Sequence, residues 1–361
     1  MLWQLSHDWG GAMINVVFVA GLAAILFGAL VWGNRTLPAE RWQMIAAVPL
    51  TKDSNGAWQG LNLTFYGLFS ATACTFGVAL MIVLLASLGT PLPAAAAVIA
   101  IMMVISVPAS KLLAWMIEGK RNTFTIAGAA FLASMILPPG LFLAQRQLAA
   151  WFDVRVYAMP MLAASVIVYA LSEAIGRLAC ISFGCCYGKP LREVNSRLAR
   201  VFGYFPLVFH GSTKKVAYAS GLAEEPLIPV QTITSAVFTT AGLIGLGLFF
   251  AGHWRLAGLV PALSTWGWRA LSECLRADHR GDSRISMYQV MAPIAMGYLA
   301  VMLTLLPSDG PMPNLAAGLA AVTSAGSIVT LETLWVVLFL YYGRSRVTSS
   351  VVSFHVIAER V

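Results

Sequence analysis

The chain has 361 residues, of which 59% are hydrophobic and only 11% are charged, and its formal net charge is +8. This balance excludes an ordinary soluble domain, in which about a quarter of the residues are charged. The positive charge does not indicate a nucleic acid partner, because the basic residues lie in short segments between apolar runs. Membrane topology or contact with anionic lipid explains them better.

Apolar stretches of about 20 residues recur along the chain, and each can cross a hydrocarbon core of roughly 30 Å as a helix. The sequence therefore predicts an all-α polytopic membrane protein with about nine transmembrane helices. The predicted spans are 12–33, 62–88, 94–115, 124–146, 156–181, 229–251, 255–275, 286–306 and 314–342. No Lys or Arg precedes the first span and no small-residue cleavage pattern follows it, so we expect it to be retained rather than removed as a signal peptide.

Several predicted spans contain ionisable residues, which usually face a protein interior and mark a function because their burial in lipid costs at least a few kcal/mol. Glu173 and Arg177 stand four residues apart, on one helix face, and Arg269 and Glu273 repeat this spacing. Two arginines that converge on a cavity would clamp a phosphodiester, since the guanidinium fork matches phosphate oxygens. The simpler alternative is that each Glu–Arg pair neutralises itself and only holds helices together.

The longest connection between predicted spans, 182–228, opens with two glycines, Gly184 and Gly188. A connection of this length is more often functional than idle. A helix C-cap explains one glycine, but two indicate a backbone that leaves helical geometry and approaches another group closely.

Cysteines cluster in the same region, at Cys180, Cys185 and Cys186, and Cys274 follows in the seventh span. The spacing is not a zinc pattern, and no histidine lies within 20 residues of the cluster. We therefore predict no metal site and no cofactor, and we interpret the cysteines as buried packing residues. The alternative is that Cys185 and Cys186 form a redox-active or nucleophilic pair.

The segment GRLACISFGCCYG, which begins at Gly176, resembles the signature G-R-x-G-N-F-x-N-x-E-x-x-G of the bacterial prolipoprotein diacylglyceryl transferase family. Three further stretches match family motifs in the same order: TFYGL at 64–68, IPVQ at 228–231, and RALSECLRADHRGD followed by ISMYQ at 269–289. The resemblance covers 62–306, a core of seven predicted helices with the loop region 182–228. It leaves 1–61 as an added N-terminal helix and loop, and 307–361 as an added C-terminal helix with a basic tail.

Enzymes of this family transfer the diacylglyceryl group of phosphatidylglycerol to the cysteine thiol of a lipoprotein precursor. The resemblance therefore implies a multi-pass protein of the bacterial inner (cytoplasmic) membrane, with phosphatidylglycerol as substrate and a lipoprotein precursor as a possible acceptor. By position it implies functional roles for Tyr66, Arg177, Gly188, Arg269, Glu273 and Arg276. To these we add Glu173, which would orient the arginines, and Gly184 and Gln231 at the substrate site.

The chain also departs from the family. Cys180, Phe183 and Cys185 replace the signature's two Asn and its Glu, and Ala127 aligns with a histidine of the family's catalytic region. A thiol acceptor must lose a proton, for which a positioned histidine is the usual base. His279 is our candidate replacement, although a solvated loop histidine is the simpler interpretation.

Two functions stay open. The first is a phosphatidylglycerol-dependent transferase that uses a lipoprotein thiol or a different acceptor. The second is a lipid-binding or lipid-translocating membrane protein that keeps the arginine clamp and lacks the chemistry. Release of glycerol phosphate would separate the two.

Two arguments give opposite orientations of the protein in the membrane. With nine spans, one side holds 34–61, 116–123, 182–228, 276–285 and the tail, and it carries most of the Lys and Arg residues outside the spans. The positive-inside rule places this side in the cytoplasm, whereas the resemblance implies that it faces outward. We favour the cytoplasm, in which case a translocated lipoprotein cysteine is not the acceptor.

Overall fold

The computed structural model describes residues 2–118, 126–153, 155, 157–278 and 286–361. The chain is mostly helical. The helices are α1 (Leu2–Thr36), α2 (Phe65–Ser87), α3 (Leu92–Glu118), α4 (Ile126–Phe152), α5 (Ala158–Phe183), α6 (Ser196–Phe202), α7 (Lys215–Ser220), α8 (Val230–Phe250), α9 (Trp254–Glu273), α10 (Met287–Leu305), α11 (Leu315–Val322) and α12 (Ala325–Tyr342).

Six helices of the described part are long and apolar enough to cross a membrane: α1 from Gly11 onward, α2, α5, α8, α10 and α12. Shorter apolar segments lie within α3 and α4, at Leu92–Val104 and Gly128–Leu143. The structure thus confirms a multi-pass helical membrane protein, but it does not confirm the count of nine. The last predicted span, 314–342, is divided into α11 and α12, because Ser324 caps the start of α12 by accepting a hydrogen bond from Ser327 N.

Helix α5 lies at the centre of the bundle and packs against α2, α8 and α9. In its most apolar window 78% of the residues are buried, compared with 11% in α1 and 6% in α12. Buried apolar side chains such as Ile167 of α5 and Phe249 of α8 form the main core. The outer helices therefore present their apolar faces to the surroundings, as expected of helices that contact lipid.

A three-stranded antiparallel sheet accompanies the helices and was not predicted. Its strands, in spatial order, are β1 (Met44–Lys52), β2 (Trp58–Thr64) and β3 (Arg344–Val352). Trp58 pairs with Val352 and Gly60 pairs with Ser350, so the segment after α1 is joined to the C-terminal tail. The all-α description consequently applies to the membrane helices and not to this sheet.

The long connection and the sheet lie at the same end of the helices. Gln43 Nε2 donates to the Thr213 carbonyl at 2.7 Å, and His210 N donates to the Pro38 carbonyl at 3.1 Å. Thr64 N, at the end of β2, donates to the Gly343 carbonyl at the end of α12 at 2.9 Å. The segments that we predicted to share one side are thus in mutual contact.

Candidate functional site

Two arginines from different helices converge on one carboxylate. Arg177 of α5 and Arg269 of α9 both donate through Nη2 to Glu173 Oε1, in the second case at 3.2 Å. Arg269 Nη2 also donates to the Tyr169 hydroxyl at 2.8 Å. All three charged side chains are less than a tenth exposed. We call Glu173, Arg177 and Arg269 the arginine cluster.

The arginine cluster carries more positive than negative charge, because one carboxylate faces two guanidinium groups. In addition, the Nε atoms of Arg177 and Arg269 are buried and have no hydrogen-bond partner among the described residues. A buried donor without a partner costs about 1–3 kcal/mol and calls for an explanation. An anion that bears several oxygen atoms would meet both the charge and the donors.

The second pair with this spacing, Arg269 and Glu273, does not form an ion pair within α9. Glu273 pairs with Arg276 instead of Arg269, with 3.6 Å between Arg276 Nη1 and Glu273 Oε1. Arg276 also donates from Nε and Nη2 to the two oxygens of Asp278, at 2.8 and 3.1 Å. The idea that Arg269 and Glu273 neutralise each other is therefore wrong, because Arg269 reaches across to α5. We call Glu273, Arg276 and Asp278 the Arg276 cluster.

Three cysteine thiols lie together where α5 ends. The Sγ atoms of Cys180, Cys185 and Cys186 are all within 4.8 Å of one another. Gly184 adopts a left-handed conformation with φ of 71°, and the N–H groups of Gly184 and Cys185 donate to the Cys180 carbonyl at 2.9 and 3.1 Å. This turn folds the chain back and forms what we call the thiol cluster.

The thiol cluster adjoins the arginine cluster, since Arg177 Nη1 lies 3.9 Å from Cys180 Sγ. Hydrogen bonding with the Cys180 and Cys186 thiols, together with burial, raises the pKa of the Cys185 thiol well above its ordinary value. A thiol with a raised pKa stays protonated at neutral pH and is a poor nucleophile. This disfavours the nucleophilic interpretation of the vicinal cysteines.

The remaining predicted residues surround these clusters. Gln231 Nε2 donates to the Cys185 carbonyl at 2.9 Å, and Tyr66 packs edge-to-face against Phe183 with ring centroids 5.5 Å apart. At Gly188, a side-chain Cβ would collide with the Ile228 carbonyl oxygen. Gly184 and Gly188 are therefore required for different reasons, the first for its backbone conformation and the second for close packing.

Some predicted residues lie elsewhere. Cys274 is exposed and not part of the thiol cluster. His279 lies outside the described residues, as does the side chain of Ala127. His253, which was not a predicted site residue, immediately precedes α9 and lies about 24 Å along the helix from Arg269, so it belongs to the opposite end of the bundle.

Sequence reasoning missed one buried cation, Lys214. Its side chain is fully buried, and Nζ donates to the carbonyls of Leu37 and Ser182 at 2.9 and 2.6 Å. Burial lowers the pKa of Lys214 to about 7, an effect opposed by the charge of Glu40. No local pattern marks this lysine, because its acceptors come from two distant segments.

Comparison of the chain with protein families, with curated proteins and with solved structures found no match. The function is therefore inferred from the residues and their geometry. At one end of the bundle, the arginine cluster has a surplus positive charge and two buried Nε donors that lack a partner among the described residues. The three thiols of the thiol cluster lie next to it.

Proposed function

We propose that this membrane protein binds a phospholipid through its phosphate at the arginine cluster and acts as a phosphatidylglycerol-dependent transferase. The observation that carries the proposal is the pair of buried Nε donors on Arg177 and Arg269, which have no hydrogen-bond partner among the described residues and lie beside Glu173. A phosphodiester brings one negative charge and several acceptor oxygens. It would therefore neutralise the cluster and give both donors a partner.

The position of the cluster favours a lipid over a soluble phosphate compound. Arg177 and Arg269 lie within the last two turns of α5 and α9, and α5 is a candidate membrane span. A lipid whose acyl chains stay in the bilayer would present its headgroup at this depth. Phosphatidylglycerol carries one negative charge, which matches the surplus of one positive charge, and the resemblance to diacylglyceryl transferases supports the same lipid.

The chemistry would be a displacement at the carbon of the diacylglycerol moiety that carries the phosphate. The acceptor forms a bond to this carbon, the bond from carbon to phosphate oxygen breaks, and glycerol phosphate leaves with the electron pair. Arg177 and Arg269 would stabilise the negative charge that develops on the leaving phosphate. The acceptor's proton passes to a base, a role that Ala127 cannot fill. Because the family's signature Asn and Glu are also replaced, we expect an altered acceptor and an unchanged lipid donor.

A second candidate function is binding or translocation of the lipid without chemistry. Two observations favour it: Ala127 occupies the position of the family's histidine, and the described part of the arginine and thiol clusters contains no histidine. The two functions share the phosphate clamp and differ only in whether the lipid is cleaved.

The test incubates the purified full-length protein with glycerol-labelled phosphatidylglycerol, with and without a lipoprotein-type cysteine peptide, and measures lipid binding and released glycerol phosphate. The Arg177→Ala variant should lose about 10²–10³-fold in rate, by analogy with the loss of one charge-stabilising donor. The matched control is Arg192→Ala, since Arg192 is exposed and pairs with Glu225 in the loop. That variant should keep its activity.

The outcomes separate the candidates. Release that depends on Arg177 supports the transferase. Saturable binding that depends on Arg177 and leaves the lipid intact supports the binding protein. Release or binding that is equal in the wild type and in Arg177→Ala contradicts the phosphate clamp and both functions with it.

A further inference from the structure

The thiol cluster has no role in the proposed lipid chemistry. Its three sulfur atoms come from one short segment, and all lie within 4.8 Å of one another. We propose that Cys180, Cys185 and Cys186 together bind one soft metal ion of the Cu(I) class. This site is distinct from the arginine cluster, although the two are in contact.

The geometry suits a three-coordinate ion. Metal–sulfur bonds to thiolates are about 2.3 Å long, so three sulfurs in a plane around one ion stand about 4 Å apart. The observed spacing is already close to this value, and small side-chain rotations would close the difference. The backbone is set for it as well: Gly184 turns the chain, and Cys186 has a φ of 58°, a conformation that non-glycine residues seldom adopt.

The ligand set favours a soft monovalent ion over zinc. Within the described residues, the group contains sulfur ligands only, without His, Asp or Glu. Structural zinc sites almost always have four protein ligands, whereas thiolates are the preferred ligands of Cu(I). A sulfur-only set of three therefore matches copper in its reduced state.

Neighbouring cations can balance the negative charge of the thiol cluster with copper bound. Binding converts three thiols to thiolates and releases three protons, which leaves a charge of −2 on the complex with Cu(I). Arg177 donates to Cys180 Sγ at 3.9 Å. The cations of Lys215 and Arg276 interact electrostatically with the thiol cluster, both of them with Cys186. Gln231 holds the Cys185 carbonyl and so fixes the turn, as outer-shell residues do at metal sites.

The experiment uses the full chain in detergent, reduced and under anaerobic conditions. Cu(I) is supplied as its acetonitrile complex and is titrated against a chromophoric Cu(I) chelator. X-ray absorption at the copper edge then counts the sulfur neighbours. We expect one copper per chain with three sulfur ligands, and a weakening of at least about 10-fold in Cys180→Ser, Cys185→Ser and Cys186→Ser, comparable to the loss of a supporting residue at a metal site.

The controls are Cys74→Ser and Cys274→Ser, which remove cysteines outside the thiol cluster and should leave copper affinity unchanged. Circular dichroism of each metal-free variant checks folding, and Cys180→Ala, Cys185→Ala and Cys186→Ala provide second variants. Unchanged affinity in the three cluster variants overturns the proposal. So does a Cys185–Cys186 disulfide that persists under reduction, or Zn(II) bound tightly in preference to Cu(I).

Discussion

The arginine cluster and the Arg276 cluster contain the same kinds of side chain and differ in their balance. The arginine cluster has two cations and one anion, and its two Nε donors have no partner among the described residues. The Arg276 cluster has two anions and one cation, and Arg276 contacts carboxylate oxygens through Nε, Nη1 and Nη2. Glu and Arg side chains near the ends of α5 and α9 therefore form two different clusters: the guanidinium donors of Arg276 meet carboxylates, whereas the Nε donors of Arg177 and Arg269 have no partner among the described residues.

The two clusters also differ in the parts of the chain that are connected near them. The strand-like segment that contains Arg276 is bonded to the chain after the thiol cluster: Lys189 N donates to the Leu275 carbonyl at 2.9 Å, and Ala277 N donates to the Tyr187 carbonyl at 3.1 Å. These backbone hydrogen bonds fix the loop to the segment after α9, where the Arg276 cluster lies. The arginine cluster instead joins two helices and has one more positive than negative charge, which supports the proposal that it binds a phosphate group.

The largest effect is expected from Arg276→Met, which removes the guanidinium group that contacts both carboxylates of the Arg276 cluster. It leaves the Glu273 and Asp278 carboxylates, which are 3% and 12% exposed, without their guanidinium partner. Breaking a buried ion pair in this way costs about 3–5 kcal/mol. Thermal unfolding in detergent should show this loss, and added phosphatidylglycerol should not restore it. A stability within 1 kcal/mol of the wild type, a margin well below that cost, would contradict the structural role.

A smaller loss, about 2–4 kcal/mol, is expected from Glu173→Gln, since the amide oxygen still accepts hydrogen bonds from both arginines. Here the surplus positive charge rises from one to two. Phosphatidylglycerol should therefore restore more stability to this variant than to the wild type, in contrast to Arg276→Met. The measurement is the shift in unfolding temperature on addition of the lipid. Glu193→Gln, at an exposed carboxylate, is the matched control, and an equal lipid shift in all proteins would show that the arginine cluster does not receive the phosphate.

Much of the helical fold was predictable because apolar length is a local property. The predicted span 156–181 corresponds to Ala158–Phe183, and 286–306 corresponds to Met287–Leu305. The sheet was not predictable in the same way. Its central strand pairs with a strand nearly 300 residues further along the chain, and no local pattern encodes such a partner.

The candidate site also combines contacts that the local sequence predicts with contacts that depend on the packing of distant segments. The contact of Arg177 with Glu173 follows from their spacing on one helix, but the contact of Arg269 with Glu173 depends on how α5 and α9 pack. The thiol cluster depends on the turn at Gly184, which brings Cys185 and Cys186 back toward Cys180. The spacing of the cysteines matches no familiar metal pattern, so only the fold shows that they meet.

The smallest effect concerns Lys214, a buried cation whose Nζ donates to two backbone carbonyls. Burial lowers the pKa of Lys214 to about 7 in the folded protein, whereas an unfolded lysine titrates near 10.4. Between these values the unfolded chain binds a proton that the folded chain lacks, so the free energy of unfolding rises with pH, by at most about 1.4 kcal/mol per unit. This gain is lost as pH falls through 7.

The test compares unfolding temperatures at pH 7.0 and 8.5 in the wild type, in Lys214→Met and in the exposed-site control Lys52→Met. We choose this window because the raised pKa of Cys185 and that of Tyr218, which burial raises, make opposite contributions at higher pH. The wild type and Lys52→Met should gain stability relative to Lys214→Met, and parallel profiles for all three would show that Lys214 keeps its proton when buried.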